Sequence, residues 1–170
     1  APNPRRRVLR ALLAVVVLVA LLALGLEADR HLRAAGALLR FGDVSEATGV
    51  TAWVAGYRVT PFDVEQGHVA GRPMRTYRPA RATGQQLVLA HGMHPLGFDE
   101  PRLVALASAL AAAGVVVHTP DQPRLKALSL DPRTAPELSE TMRALTQREG
   151  RGPLGVMAIS FAGGLALRAA

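Results

Sequence analysis

Three short apolar runs limit the fold more than any other feature of this chain: QQLVLA (85–90), VVVH (115–118) and LGVMAIS (154–160). Each is the length of a strand and lacks polar alternation, the pattern of strands buried on both faces of a sheet. Each is also followed by a helical signal. DEPRLVALASALAAAG opens on acidic residues with Pro101 in its first turn, repeats Leu103, Leu106 and Leu110, and closes on Gly114. TAPELSETMRALTQREG offers Thr134 and Glu137 as a capping box and sets Leu138, Met142 and Leu145 on one face ahead of Gly150. FAGGLALRAA begins a third helix at Phe161. Strand and helix alternating three times predict parallel crossover units and an α/β sheet. Upstream, FDVEQGHV and PMRTYRP alternate in part and are joined by Ala70-Gly71-Arg72-Pro73, which predicts an antiparallel hairpin leading into the parallel strands. SEATGVTAWVAGYRVTP has turn formers but no period, and no element is assigned to it.

The N-terminal end sets a second constraint. Residues 11–26, ALLAVVVLVALLALGL, carry no polar side chain, and with Val8 and Leu9 they approach the roughly 20 residues that cross a bilayer as a helix. A basic flank (residues 1–7) precedes them. The pair fits a signal peptide cleaved near Ala23-Leu24-Gly25 or an uncleaved signal anchor over 8–26; the length favours the anchor. Arg5, Arg6, Arg7 and Arg10 outnumber Arg30, Arg33 and Arg40 on the far side. That bias places the rest of the chain on the periplasmic or exterior face of the inner membrane. Residues 27–61 then read as a juxtamembrane helix and linker, with Leu32, Leu38 and Leu39 at helical spacing, lying on the lipid surface or against the domain.

The formal charge of +7 does not indicate nucleic acid. Without the four arginines of the targeting segment, 16 basic residues face 13 acidic ones, leaving +3 with no cluster of basic and aromatic residues. Zero cysteines exclude disulfides, thiolate metal sites and a cysteine nucleophile. No cofactor or metal is expected.

In an open α/β sheet, function gathers at the carboxyl ends of the strands. His91-Gly92, Asp121 and Ser160 stand there. Ser160 lies where the third buried strand turns into a helix, and a nucleophile at that point needs small residues around it. Ala158, Ala162 and Gly163 supply them, with alanine in two positions where glycine is usual. The Phe161 N–H lies at a helix N-terminus, and the Met93 N–H follows Gly92, which permits close approach of backbone to a ligand.

The segment from Phe62 to Ala170 thereby resembles the N-terminal half of an α/β-hydrolase: hairpin, strand into His-Gly, helix, strand into Pro-Asp, helix, strand into a serine elbow. The resemblance implies Ser160 as nucleophile and the Met93 and Phe161 N–H groups as oxyanion hole. His91, Gly92, Ala158, Ala162 and Gly163 would support the loop and elbow. A triad acid and histidine would follow the elbow, so the sequence reads as part of a longer hydrolase domain (62–170 here), truncated after the elbow and inactive alone. The implied substrate is a small-molecule or lipid acyl compound. A non-catalytic, membrane-tethered binding module is the competing reading.

The other candidates have simpler explanations. Ser160 as a plain helix cap leaves the small residues after it unexplained. His91 fits holding the loop better than acting as a base. His91 and His94, three apart in a loop with only Asp99 near, make a poor metal site. Asp121 reads as a turn former, and His31, His68 and His118 as surface or strand histidines. AISFAGG lacks the register of a dinucleotide-binding fingerprint.

Overall fold

The computed structural model describes residues 4–43, 46–150 and 154–169, with side chains from residue 12 onward. The arginine side chains of the basic flank, and Ala170, lie outside that description. The first element is one unbroken helix, α1 (Pro4–Phe41). The apolar run and the arginine-bearing segment after it are therefore continuous. Nothing in between stops a helix, since Gly25 and Gly36 are isolated and each costs only about 1 kcal/mol relative to alanine.

The two ends of α1 meet different surroundings. From Leu12 to Leu26 the large aliphatic side chains are 49–67% exposed. The helix is long and apolar enough to cross a membrane. Beyond Leu26, α1 packs against the short helix α2 (Gly49–Ala55), which fills the stretch that lacked a period in the sequence. Gly36 makes that packing possible: a Cβ there would stand 2.6 Å from the Val54 carbonyl oxygen.

Strands β1 (Phe62–Val69) and β2 (Arg72–Pro79) form the expected antiparallel hairpin, with a tighter turn of Ala70 and Gly71 alone. Three parallel strands follow in chain order, β3 (Gln86–Ala90), β4 (Val116–Pro120) and β5 (Leu154–Ala158). The sheet order is β1-β2-β4-β3-β5, with β2 antiparallel to β4 and β3 parallel to both β4 and β5. The period-2 geometry of β3 divides its side chains between two cores. Leu89 joins Tyr77, Val117, Leu103 and Ala107 under the helix α3 (Pro101–Ala112). Val88 and Ala90 join Leu138, Leu145 and Leu165 under α5 (Thr134–Glu149) and α6 (Ala162–Ala169). A one-turn helix, α4 (Pro123–Lys126), follows β4.

Two local expectations change. Thr134 does not cap α5: it is already inside the first turn, its hydroxyl has no partner, and Glu137 is drawn away to Arg124 at 3.0 Å. The helix after Ser160 begins at Ala162 rather than Phe161. His118 is a strand histidine, as the sequence suggests. It is fully buried in β4, with Nδ1 3.1 Å from the Thr76 hydroxyl.

Candidate functional site

β3 and β5 run side by side and end level, Ala90 opposite Ala158. The next residues of each strand build the site. After β5 the backbone turns sharply: Ser160 has φ +56°, a left-handed conformation that a side chain makes unfavourable. Hydrogen bonds hold the turn. Ile159 N–H donates to the Ala90 carbonyl at 3.0 Å, and Ala162 and Gly163 N–H donate to Ile159 and Ser160 carbonyls at 3.2 and 2.9 Å. Ser160 is exposed while Ala162 beneath it is buried in the core.

The tight contact at this turn is with the neighbouring loop. A Cβ on Gly92 would lie 3.0 Å from the Ile159 carbonyl oxygen and 3.5 Å from Ser160 Cβ, so the two strand ends approach closely only because residue 92 is glycine. Gly163 and Gly164 differ, since a Cβ at either would meet nothing within 4 Å among the described residues. Of the small residues expected after the serine, Ala162 is buried and Gly163 is uncrowded, and the tightest approach falls on Gly92.

His91 fixes this loop. Its ring is buried, and burial pushes the imidazole below its ordinary pKa, so it is neutral near pH 7. Nε2 accepts from the Gln122 N–H at 2.9 Å, which leaves the proton on Nδ1 to donate to the Gly92 carbonyl at 2.8 Å. Asp121 Oδ1 is 3.6 Å from Nε2, too far for a hydrogen bond, and its other oxygen faces Lys126 Nζ at 3.4 Å. With the Gly92 carbonyl held toward His91, the Met93 N–H across the trans peptide points away from that ring. Among the described residues, neither the Met93 nor the Phe161 N–H has an acceptor.

A cavity of about 260 Å³ opens over these groups. Ser160, Gly92 and Met93 form its floor, and Phe41, Leu103 and Leu106 form an apolar wall. Phe41 comes from the far end of α1, about 120 residues earlier in the chain than the serine. No local pattern could have marked it. Leu103 and Leu106 were legible only as core positions of a helix. His94 also lines the cavity, and its Nδ1 accepts from the Leu96 N–H at 3.2 Å. In its neutral form that histidine therefore presents an N–H, not a lone pair, from Nε2.

Both the strand order and the crossovers are those of the α/β-hydrolase fold, present here as a partial sheet of five strands. The structure superposes with a TM-score of 0.51 on a hormone-sensitive lipase from a metagenome library, at 17% identity over 79% of this chain and 49% of that one. TT1662 from Thermus thermophilus gives 0.50, at 19% identity over 62% of this chain and 50% of that one. The chain thus spans about half the length of each. Likeness at this level of identity concerns the fold. No protein-family model matches the sequence, and no curated protein is similar to it.

Proposed function

We propose that the chain is the elbow-bearing part of a membrane-tethered serine hydrolase that cleaves an ester, thioester or amide. The observation that carries this reading is Ser160 at φ +56°, exposed at the end of a parallel strand and facing a cavity beside the Gly92–Met93 loop. A left-handed serine costs on the order of 1–3 kcal/mol, and such strain concentrates where a side chain must be presented.

In the proposed mechanism Ser160 Oγ bonds to the substrate carbonyl carbon while its proton passes to a histidine. Neither that histidine nor its acid is assigned among the described residues. The carbonyl oxygen becomes an oxyanion held by the Met93 and Phe161 N–H groups, whose worth is greatest when they are fixed in advance. His91 fixes the first of them by holding the Gly92 carbonyl. The bond to the leaving group then breaks, the histidine returns the proton to it, and water repeats the sequence to free the acid and restore the serine. Residues 8–26 are the membrane anchor in this reading, with the domain on the periplasmic or exterior side.

One observation favours the alternative, a tethered binding module without catalysis. Of the two histidines in the cavity, His91 is engaged at both ring nitrogens and His94 presents an N–H. Neither offers a base to Ser160. The full-length protein separates the readings. Hydrolysis of p-nitrophenyl butyrate should fall at least about 10⁴-fold in Ser160→Ala, the scale on which triad members act. No hydrolysis by the unaltered protein would favour the binding module.

A further inference from the structure

Helix α1 also fixes which way the site faces. Antiparallel to α3, it climbs that helix from its carboxyl end to its amino end. Low on α1, Arg33 donates to the Ala113 carbonyl at 3.3 Å, closing the carboxyl end of α3. Asp29 at the same level takes a hydrogen bond from Tyr57 at 3.1 Å and pairs with Arg58 at 3.2 Å. Higher up, Arg40 donates to the Ala109 carbonyl at 3.3 Å and also to Ala55. At the top, Phe41 enters the wall of the cavity that holds Ser160. α1 is thus fixed to the domain near Asp29 and Arg33 and again near Arg40 and Phe41, and its exposed apolar end lies at the opposite end from the site.

From Leu26 to Phe41 the helix rises about 22 Å, at 1.5 Å per residue. The sheet agrees independently: five residues of β3 carry the chain about 16 Å from its base to the catalytic edge. The base is where Tyr57, Arg58, Thr83 and Gly114 gather beside Asp29 and Arg33 of α1.

We infer that α1 is a stand-off strut: with its apolar end in the bilayer, it holds the catalytic cavity about 20 Å above the headgroups and facing away from them, so the enzyme takes water-soluble acyl substrates and not lipids of its own membrane. This rests on the anchored-hydrolase reading above.

The sequence has no cysteine to compete with an introduced one, which makes the test direct. The full-length protein is placed in phosphatidylcholine vesicles carrying a headgroup-linked energy acceptor, with a donor on Leu96→Cys beside the cavity or on Arg81→Cys at the base. The Leu96 probe should lie about 20 Å farther from the headgroup plane than the Arg81 probe, and the vesicle-bound protein should cleave p-nitrophenyl butyrate at least tenfold faster than vesicle phospholipid. Equal heights, or faster phospholipid cleavage, overturn the strut. Protein that does not float with the vesicles overturns the anchor. A 20 Å gap without fluorophosphonate labelling removes the hydrolase and leaves the strut; labelling without the gap does the reverse.

Discussion

Residues 12–26 and 27–41 are halves of one helix, yet they obey different rules. In the first half, leucine, valine and alanine are exposed on every side. In the second, Gly36 admits the α2 backbone, Ala37 is buried, and Arg33 and Arg40 reach carbonyls at the carboxyl end of α3. An all-round apolar surface needs a solvent that is itself apolar, whereas a mixed surface with small residues and paired arginines needs a protein wall. In the proposed anchor reading, the helix changes its solvent without changing its backbone.

The comparison can be broken at several points. The largest expected effect lies on the far face of the sheet from the second half, under α5. His118 is buried and its pKa is lowered to about 4 from an ordinary 6.5, chiefly by burial, with Glu149, Arg78, Arg148 and Glu65 acting weakly around it. The unfolded chain therefore binds this proton more readily than the folded one. Stability should be full above about pH 6.5 and fall by on the order of 3 kcal/mol as the pH drops toward 4. Urea titrations of the wild type and His118→Gln across that range read the difference, and a flat wild-type profile would contradict it.

The two glycines of α1 give the next effect. Gly36→Ala forces a methyl group against the Val54 carbonyl and should cost about 2 kcal/mol, like other overpacked contacts. Gly25→Ala, with nothing within 4 Å, should leave the domain unchanged. Equal thermal shifts in the two variants would mean that the halves do not differ. The arginines give the smallest contrast. Arg40→Ala removes two hydrogen bonds from a charged donor and should cost roughly 1.5 kcal/mol. Arg30→Ala breaks only an exposed pair with Glu27 and should stay within about 0.5 kcal/mol.

The legible parts of this fold are those set by local pattern. VVVH, QQLVLA and LGVMAIS declare buried strands because both faces need apolar residues, and Pro101 with Gly114 brackets a helix by backbone chemistry alone. The serine turn was visible because it follows an apolar strand directly and is flanked by small residues in sequence. What could not be read depends on contacts across the chain. α2 has no period of its own and forms where Gly36 opens a groove for it. Thr134 and Glu137 have capping spacing, but Arg124 competes for the glutamate. Phe41 carries no sign that it will wall a cavity floored by Ser160. Even Gly92, conspicuous in HGMHP, is explained by Ile159, which the sequence does not place beside it.

The central claim is that this turn presents a nucleophile. The most direct measurement is to expose the full-length protein to a fluorophosphonate and map the adduct by peptide mass spectrometry. The account predicts one phosphonylated residue, Ser160, and no adduct in Ser160→Ala. A protein left unmodified, or one modified elsewhere with equal yield in the alanine variant, would contradict it.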